Sequence, residues 1–286
     1  MNKLKQIIKM CIYEFRIQLT SKKTWLGYII GVVIVLKQCF GYVLYARSLG
    51  RVVNILEPFI IAENNYNTVM FMVLGWLLVI SDAPFINNNS MYLIYRTEKN
   101  LWNKAMHLYM FVQSVLYYGV LVISTMILSA DIGYFGNIWS QPLISLTKNS
   151  NRILEFDVYF PYASLIKNMS IYQAFAYTVL LCLGYGFILA LLLYTLNLFM
   201  NHLVGGIVTL AFHFLGYEIM QEGFFIVIKY SMLARSLLVL QVGVNLGASL
   251  EKTIILYVLI IIILCSISDK AIKFIDFKEA GKGEGE

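Results

Sequence analysis

Six stretches of this chain are apolar for long enough to cross a bilayer, and that limits its fold more than any other feature. They run over Thr24 to Ala46, Tyr66 to Ile86, Ala105 to Ala130, Ile171 to Leu196, Leu198 to Tyr217 and Thr253 to Ser268. A hydrocarbon core of about 30 Å takes about 20 helical residues. Inside that core only helices and closed barrels satisfy every backbone group. The last stretch is short and borrows residues from its flanks. Composition agrees: 59% of the 286 residues are hydrophobic and 13% are charged, against about 25% charged in a soluble domain. The expected fold is an all-α membrane protein with six transmembrane helices.

Six crossings return both ends to one side, and the basic residues choose it. With both termini inside, the inner segments hold thirteen Lys and Arg and the outer loops eight, while Lys37 falls within the first span. The positive-inside rule then places both termini, and the link from Ser81 to Lys104, in the cytoplasm. The net charge of +6 gathers at segment ends and not on one face, which suits lipid head groups and leaves no case for nucleic acid.

Three parts follow. Over residues 1–23, Leu4, Ile8, Cys11, Ile12, Phe15 and Leu19 recur at helical spacing with Lys5, Lys9 and Arg16 off that stripe. This predicts an amphipathic helix in the membrane interface, with Lys22-Lys23 marking entry into the bilayer. Residues 24–277 form the six-span domain, and 278–286 a flexible, glycine-rich tail. The first outer loop, about 47–65, reads as polar, with Glu57-Pro58. The second, about 131–170, holds a Tyr159-Phe160-Pro161-Tyr162 cluster. The third, about 218–252, carries Phe224 to Ile228 and Leu237 to Val244, apolar runs too short to span, which predict interfacial or re-entrant helices.

Chemical motifs are sparse. There is no G-x-x-x-x-G-K-[ST] to bind ATP, no H-E-x-x-H and no G-x-S-x-G. Cys11, Cys39, Cys182 and Cys265 are scattered and read as small buried hydrophobes. His107 and His202 fall near helix ends; His213 lies deeper, and packing competes there with pore lining. Lys37, beside Gln38, sits near the middle of the first span. A charge at that depth is costly and faces a bundle interior or water, unless the side chain snorkels. Glu218 and Glu222 follow the fifth span, as a hydrated rim or an outer gate. Asp82 precedes Pro84 and braces the turn there. Gly27 with Gly31, and Gly186 with Ala190, allow close helix approach, within one chain or across a dimer seam.

The order of these parts resembles the permease subunits of the ABC-2 family of ATP-binding-cassette transporters. The run Ser81-Asp82-Ala83-Pro84-Phe85-Ile86, then Tyr92-Leu93-Ile94-Tyr95-Arg96-Thr97, is similar to the same region of small Gram-positive permeases of that type. The resemblance implies a coupling helix after span two that docks on a separate ATPase through Asn88, Asn89, Tyr92, Leu93, Tyr95, Arg96 and Glu98, with Phe15 and Arg16 bracing the same subunit. It implies two permease chains and two ATPase chains, with ATP and Mg held by the ATPase and no cofactor or enzymatic site in this chain. It further implies export of a hydrophobic or amphipathic cargo across a bacterial cell membrane, through a path touching Lys37, Gln38, His213 and Glu218. Other classes stay open: a secondary transporter, which would favour inverted repeats and broken helices; a membrane enzyme of the CAAX-protease type, for which Glu218 and Glu222 lack a matching histidine set; and a non-transporting scaffold or immunity protein.

Overall fold

A computed structural model of the chain describes residues 3–85, 97–148, 155–158, 163–200, 202–223, 225–242 and 249–274. Five of its helices are long and apolar enough to cross a membrane: α2 (Lys22–Ser48), α5 (Lys99–Leu128), α8 (Ile171–Phe199), α9 (His202–Gln221) and α13 (Leu250–Phe274). This is the architecture of an all-α, multi-pass membrane protein. The stretch expected to make the second span instead gives α4 (Tyr66–Val79). Its fourteen residues cover about 21 Å, short of the hydrocarbon thickness. α4 starts at Asn65, whose side chain accepts from the Asn67 and Thr68 amides, and it ends before a turn at Ile80 to Pro84 that contains a cis Ala83–Pro84 bond.

Helix ends shift from the expected ones for local reasons. The fifth begins at His202 rather than Leu198, because α8 runs on to Phe199. The sixth, α13, takes residues from both flanks and reaches 25 residues. α8 opens on a capping box at Ser170 and Gln173, which fixes its start. The helices close into a ring in the order α2, α4, α9, α8, α13, α5. α2 and α4 approach most closely, at Gly27 and Gly75. A Cβ on Gly27 would lie 2.5 Å from the Gly75 carbonyl, and one on Gly75 2.7 Å from that of Gly27. The small-residue motif of α2 is therefore a seam within the chain.

The first and second loops fold together as a cap. Strand β1 (Val53–Asn54) pairs in parallel with β2 (Gly133–Tyr134), with the short helices α3 (Glu57–Glu63) and α6 (Gln141–Leu146) beside them, while α7 (Ala163–Asn168) packs on the segment Val239–Val242. Glu57 is the hub. Buried in the cap, it accepts from Tyr42 Oη at 2.5 Å, from Ser140 N and Oγ at 2.7 Å each, and from Asn54 N at 3.2 Å. Burial raises its carboxyl above the ordinary carboxylate range, and these bonds hold the shift back. The Tyr159 to Tyr162 cluster lies outside the described residues.

Beyond α9, three short helices follow: α10 (Phe225–Ile228), α11 (Met232–Ser236) and α12 (Val239–Val242). Leu237, Leu238 and Val239 of the second half-length run are buried against the bundle, whereas Ile226 and Val227 of the first are exposed. All four cysteines are free, three of them buried, as small apolar fillers would be.

Candidate functional site

Two regions carry charge where a membrane protein finds it costly or useful: the end of the bundle opposite the cap, and the outward face of α2. At the first, α1 (Lys3–Gln18) packs on α5. Lys3 pairs with Glu98, which precedes α5, at 3.5 Å. The charge of Glu14 acts on Tyr109 of α5. Both pairs are separated by eleven residues along their helices, so α1 keeps step with the first third of α5.

The expected amphipathic stripe divides in two. Leu4, Ile8, Ile12 and Leu19 are exposed, giving an apolar ridge; Met10, Cys11, Glu14 and Gln18 are buried against the bundle. Sequence pattern missed this because Glu14 is a charge on the packed face. Its Oε1 has no hydrogen-bond partner. Burial pushes its carboxyl up to about 7, with the Gln18 side chain opposing the shift, and burial also raises the nearby Cys11 thiol.

Of the residues expected to meet an ATPase, Asn88, Asn89, Tyr92, Leu93, Tyr95 and Arg96 lie outside the described residues. Glu98 and Arg16 are on the surface at the α1 end. Phe15 is half-buried and lines an apolar groove of about 410 Å³ with Leu19, Trp25, Ile29, Leu116 and Val120. Asp82 pairs with Lys23 at 2.7 Å, tying the start of α2 to the end of α4. Both partners are well exposed, so the pair is worth about 0–1 kcal/mol.

The expected path residues do not converge. His213 is fully buried, with Nδ1 2.7 Å from Tyr185 Oη and Nε2 3.0 Å from the Met70 carbonyl. It links α8, α9 and α4. Glu218 is exposed at the cap end of α9, and Gln38 is half-buried. Lys37 stands out. It lies fifteen residues from the first residue of α2 and eleven from the last, and it is exposed in one stripe with Val33, Phe40 and Leu44. Among the described residues it has no ion pair and no hydrogen bond. A charge at this depth turned away from its own bundle is costly beside lipid unless its side chain snorkels to the interface.

Sequence reading overlooked Glu63. The Phe59 to Ala62 run between two glutamates, ahead of Asn64-Asn65, is the signal that marks it: a short apolar helix buries whatever lies at its ends. Among the described residues no group of three or more metal-ligating side chains gathers. No family model, curated protein or solved structure matches the chain.

Proposed function

We propose that this chain is the membrane-spanning permease subunit of an ABC-2 type transporter, an exporter of a hydrophobic or amphipathic cargo driven by a separate ATPase. The observation that carries the reading is Lys37. A bundle complete in itself would turn a mid-helix charge inward. Here the charge faces out, on a stripe of large apolar side chains, as suits a half-transporter whose aqueous path forms against a second permease chain. The order of parts adds support: a docked N-terminal helix, long helices, a cap between early helices, and short helices before the last.

The α1 end is then cytoplasmic. There the link at 87–98, which ends at the exposed Glu98, would dock on the ATPase, and the exposed Arg16 of α1 would brace the same subunit. Closure of two ATPase subunits on ATP pushes that link and shifts the permease halves as rigid bodies, powered by the difference in ATP affinity between states. The break between α3 and α4 favours a second reading, a secondary transporter with a discontinuous helix.

Co-expression with a P-loop ATPase encoded beside this gene separates the two. Under the ABC reading the two subunits co-purify, and Arg96→Glu or Tyr92→Ala weakens the complex and its ATPase stimulation. Intact assembly and transport in both variants refutes the docking assignment. Absence of any co-purifying ATPase, with transport that follows an ion gradient, refutes the ABC reading.

A further inference from the structure

The apolar groove at the α1 end is suited to hydrocarbon by what its polar atoms already do. Three helices line it: α1 with Leu19, α2 with Trp25, Ile29 and Val33, and α5 with Leu116 and Val120. The few polar side-chain atoms of the lining have protein partners. Thr24 Oγ1 donates to Gln18 Oε1 at 3.5 Å, Trp25 Nε1 donates to the Leu19 carbonyl at 2.8 Å, and Tyr28 Oη accepts from Gln113 Nε2 at 3.3 Å. What they leave is aliphatic and ring surface. A peptide or sugar seated there would lose water without regaining its hydrogen bonds. A hydrocarbon chain has none to lose.

The dimensions match a lipid tail. Trp25 to Val33 is eight residues, about 12 Å along α2, and half of a hydrocarbon core of about 30 Å is about 15 Å. An indole in the first turn of a membrane helix sits at head-group level, so the groove runs from there into the tails. Its volume of about 410 Å³ falls among small-molecule sites, at about 300–1,000 Å³.

The mouth is basic. Lys22 lies three residues before Trp25 and seven before Ile29, so all three share one face of α2. Arg16 lies three residues before Leu19 on α1, one turn away. Both cations are exposed, and neither has an ion pair among the described residues. The described acids at this end are engaged elsewhere. Lys23 holds Asp82, Lys3 holds Glu98, Asn103 donates to Asp269, and Glu14 is buried on the packed face of α1. Two such cations at one end of an apolar groove complement an amphiphile with an anionic head.

We propose that the groove is a binding site for an anionic phospholipid of the leaflet at the α1 end. One acyl chain lies along Trp25, Ile29 and Val33, and the phosphate sits at Lys22 and Arg16. The site needs only a chain that spans a membrane and does not rest on the transporter reading. Because α1 supplies part of the lining, a seated lipid fastens it to α2 and α5 and strengthens that docking by mass action.

Trp25 reports occupancy, since it is 56% exposed while Trp76, Trp102 and Trp139 are at most 9% exposed. The test is quenching of tryptophan fluorescence by lipids brominated on the acyl chain, with the full chain in vesicles and Trp25→Phe giving the background. Brominated phosphatidylglycerol, titrated into plain phosphatidylcholine, is expected to quench Trp25 with a preference of about tenfold or more over brominated phosphatidylcholine. Lys22→Gln and Arg16→Gln are surface changes that leave the fold intact, and each cuts that preference by about fivefold. Val33→Phe blocks the deep end of the groove and removes the preference with both cations in place. Equal quenching by the two lipids refutes the site, as does an anionic preference that survives both charge variants or Val33→Phe. Quenching of Trp25 by neither lipid also refutes it and gives the groove to a protein partner.

Discussion

Glu14 sets how firmly α1 holds the bundle, and its effect has a definite sign with pH. Released from the bundle, the carboxyl titrates near its ordinary 4.5; docked, it is pushed up to about 7. The docked state therefore binds more protons between those values, and docking weakens as pH rises through that window. Docking strength is full below 4.5, falls until about 7, and is level above it. A tenfold change in proton affinity is about 1.4 kcal/mol, so the whole loss comes to about 3 kcal/mol. The perturbation is Glu14→Gln, which keeps the shape and removes the charge. The assay is amide hydrogen exchange of residues 3–18 in lipid, expressed as protection factors to remove the intrinsic pH dependence of exchange. In the wild type, protection of α1 falls by about 100-fold or more from the acidic to the alkaline side of the window. In Glu14→Gln it stays flat at the acidic level. Protection that rises with pH in the wild type, or the same fall in the variant, refutes the reasoning.

Three further outcomes follow from the packing. Gly75→Val forces side-chain atoms against the Gly27 carbonyl and Tyr117; overpacking of this kind costs about 1–3 kcal/mol, read as a lower thermal unfolding midpoint in detergent, and an unchanged midpoint contradicts the seam. Glu57→Ala strips the acceptor from Tyr42, Ser140 and Asn54. Tyr42 Oη and Ser140 Oγ, 2.9 Å apart, still pair, but the Ser140 and Asn54 amides lose their acceptor; each orphaned donor costs about 1–3 kcal/mol, so the cap loops are cut faster by protease added on that side, while equal cleavage rates rule out Glu57 as the hub. Lys37→Leu, if its face borders an aqueous path, leaves thermal stability within about 0.5 kcal/mol and abolishes transport. If the face borders lipid, the same change stabilises the chain by about 2.5–3.5 kcal/mol, and that result defeats the assignment of Lys37 to the path.

What could be read from the sequence is set by the range of the interaction involved. Span-length helices were legible because length and hydropathy are local sums, and α2, α5, α8 and α13 begin or end within a few residues of the expected limits. α4 was not, since the turn at Ile80 ends after fourteen residues a stretch whose composition still reads as membrane. The cap was hidden for a different reason. Its hub joins Glu57 to Ser140, 83 residues away, and no window of sequence contains both. The same limit governs the charges. A mid-span lysine signals cost but not direction, so Lys37 could be singled out and its outward face could not. Glu14 and Glu63 went unmarked because each stands near other polar residues, where a solvated position is the ordinary expectation; only the packing of α1 and α3 on α5 shows that both are buried. The positions that remain hardest to satisfy inside one chain are then one charge facing out and two carboxyls facing in. A static bundle gains nothing from any of them, which is the physical reason to look for motion, a partner and a proton at these three residues first.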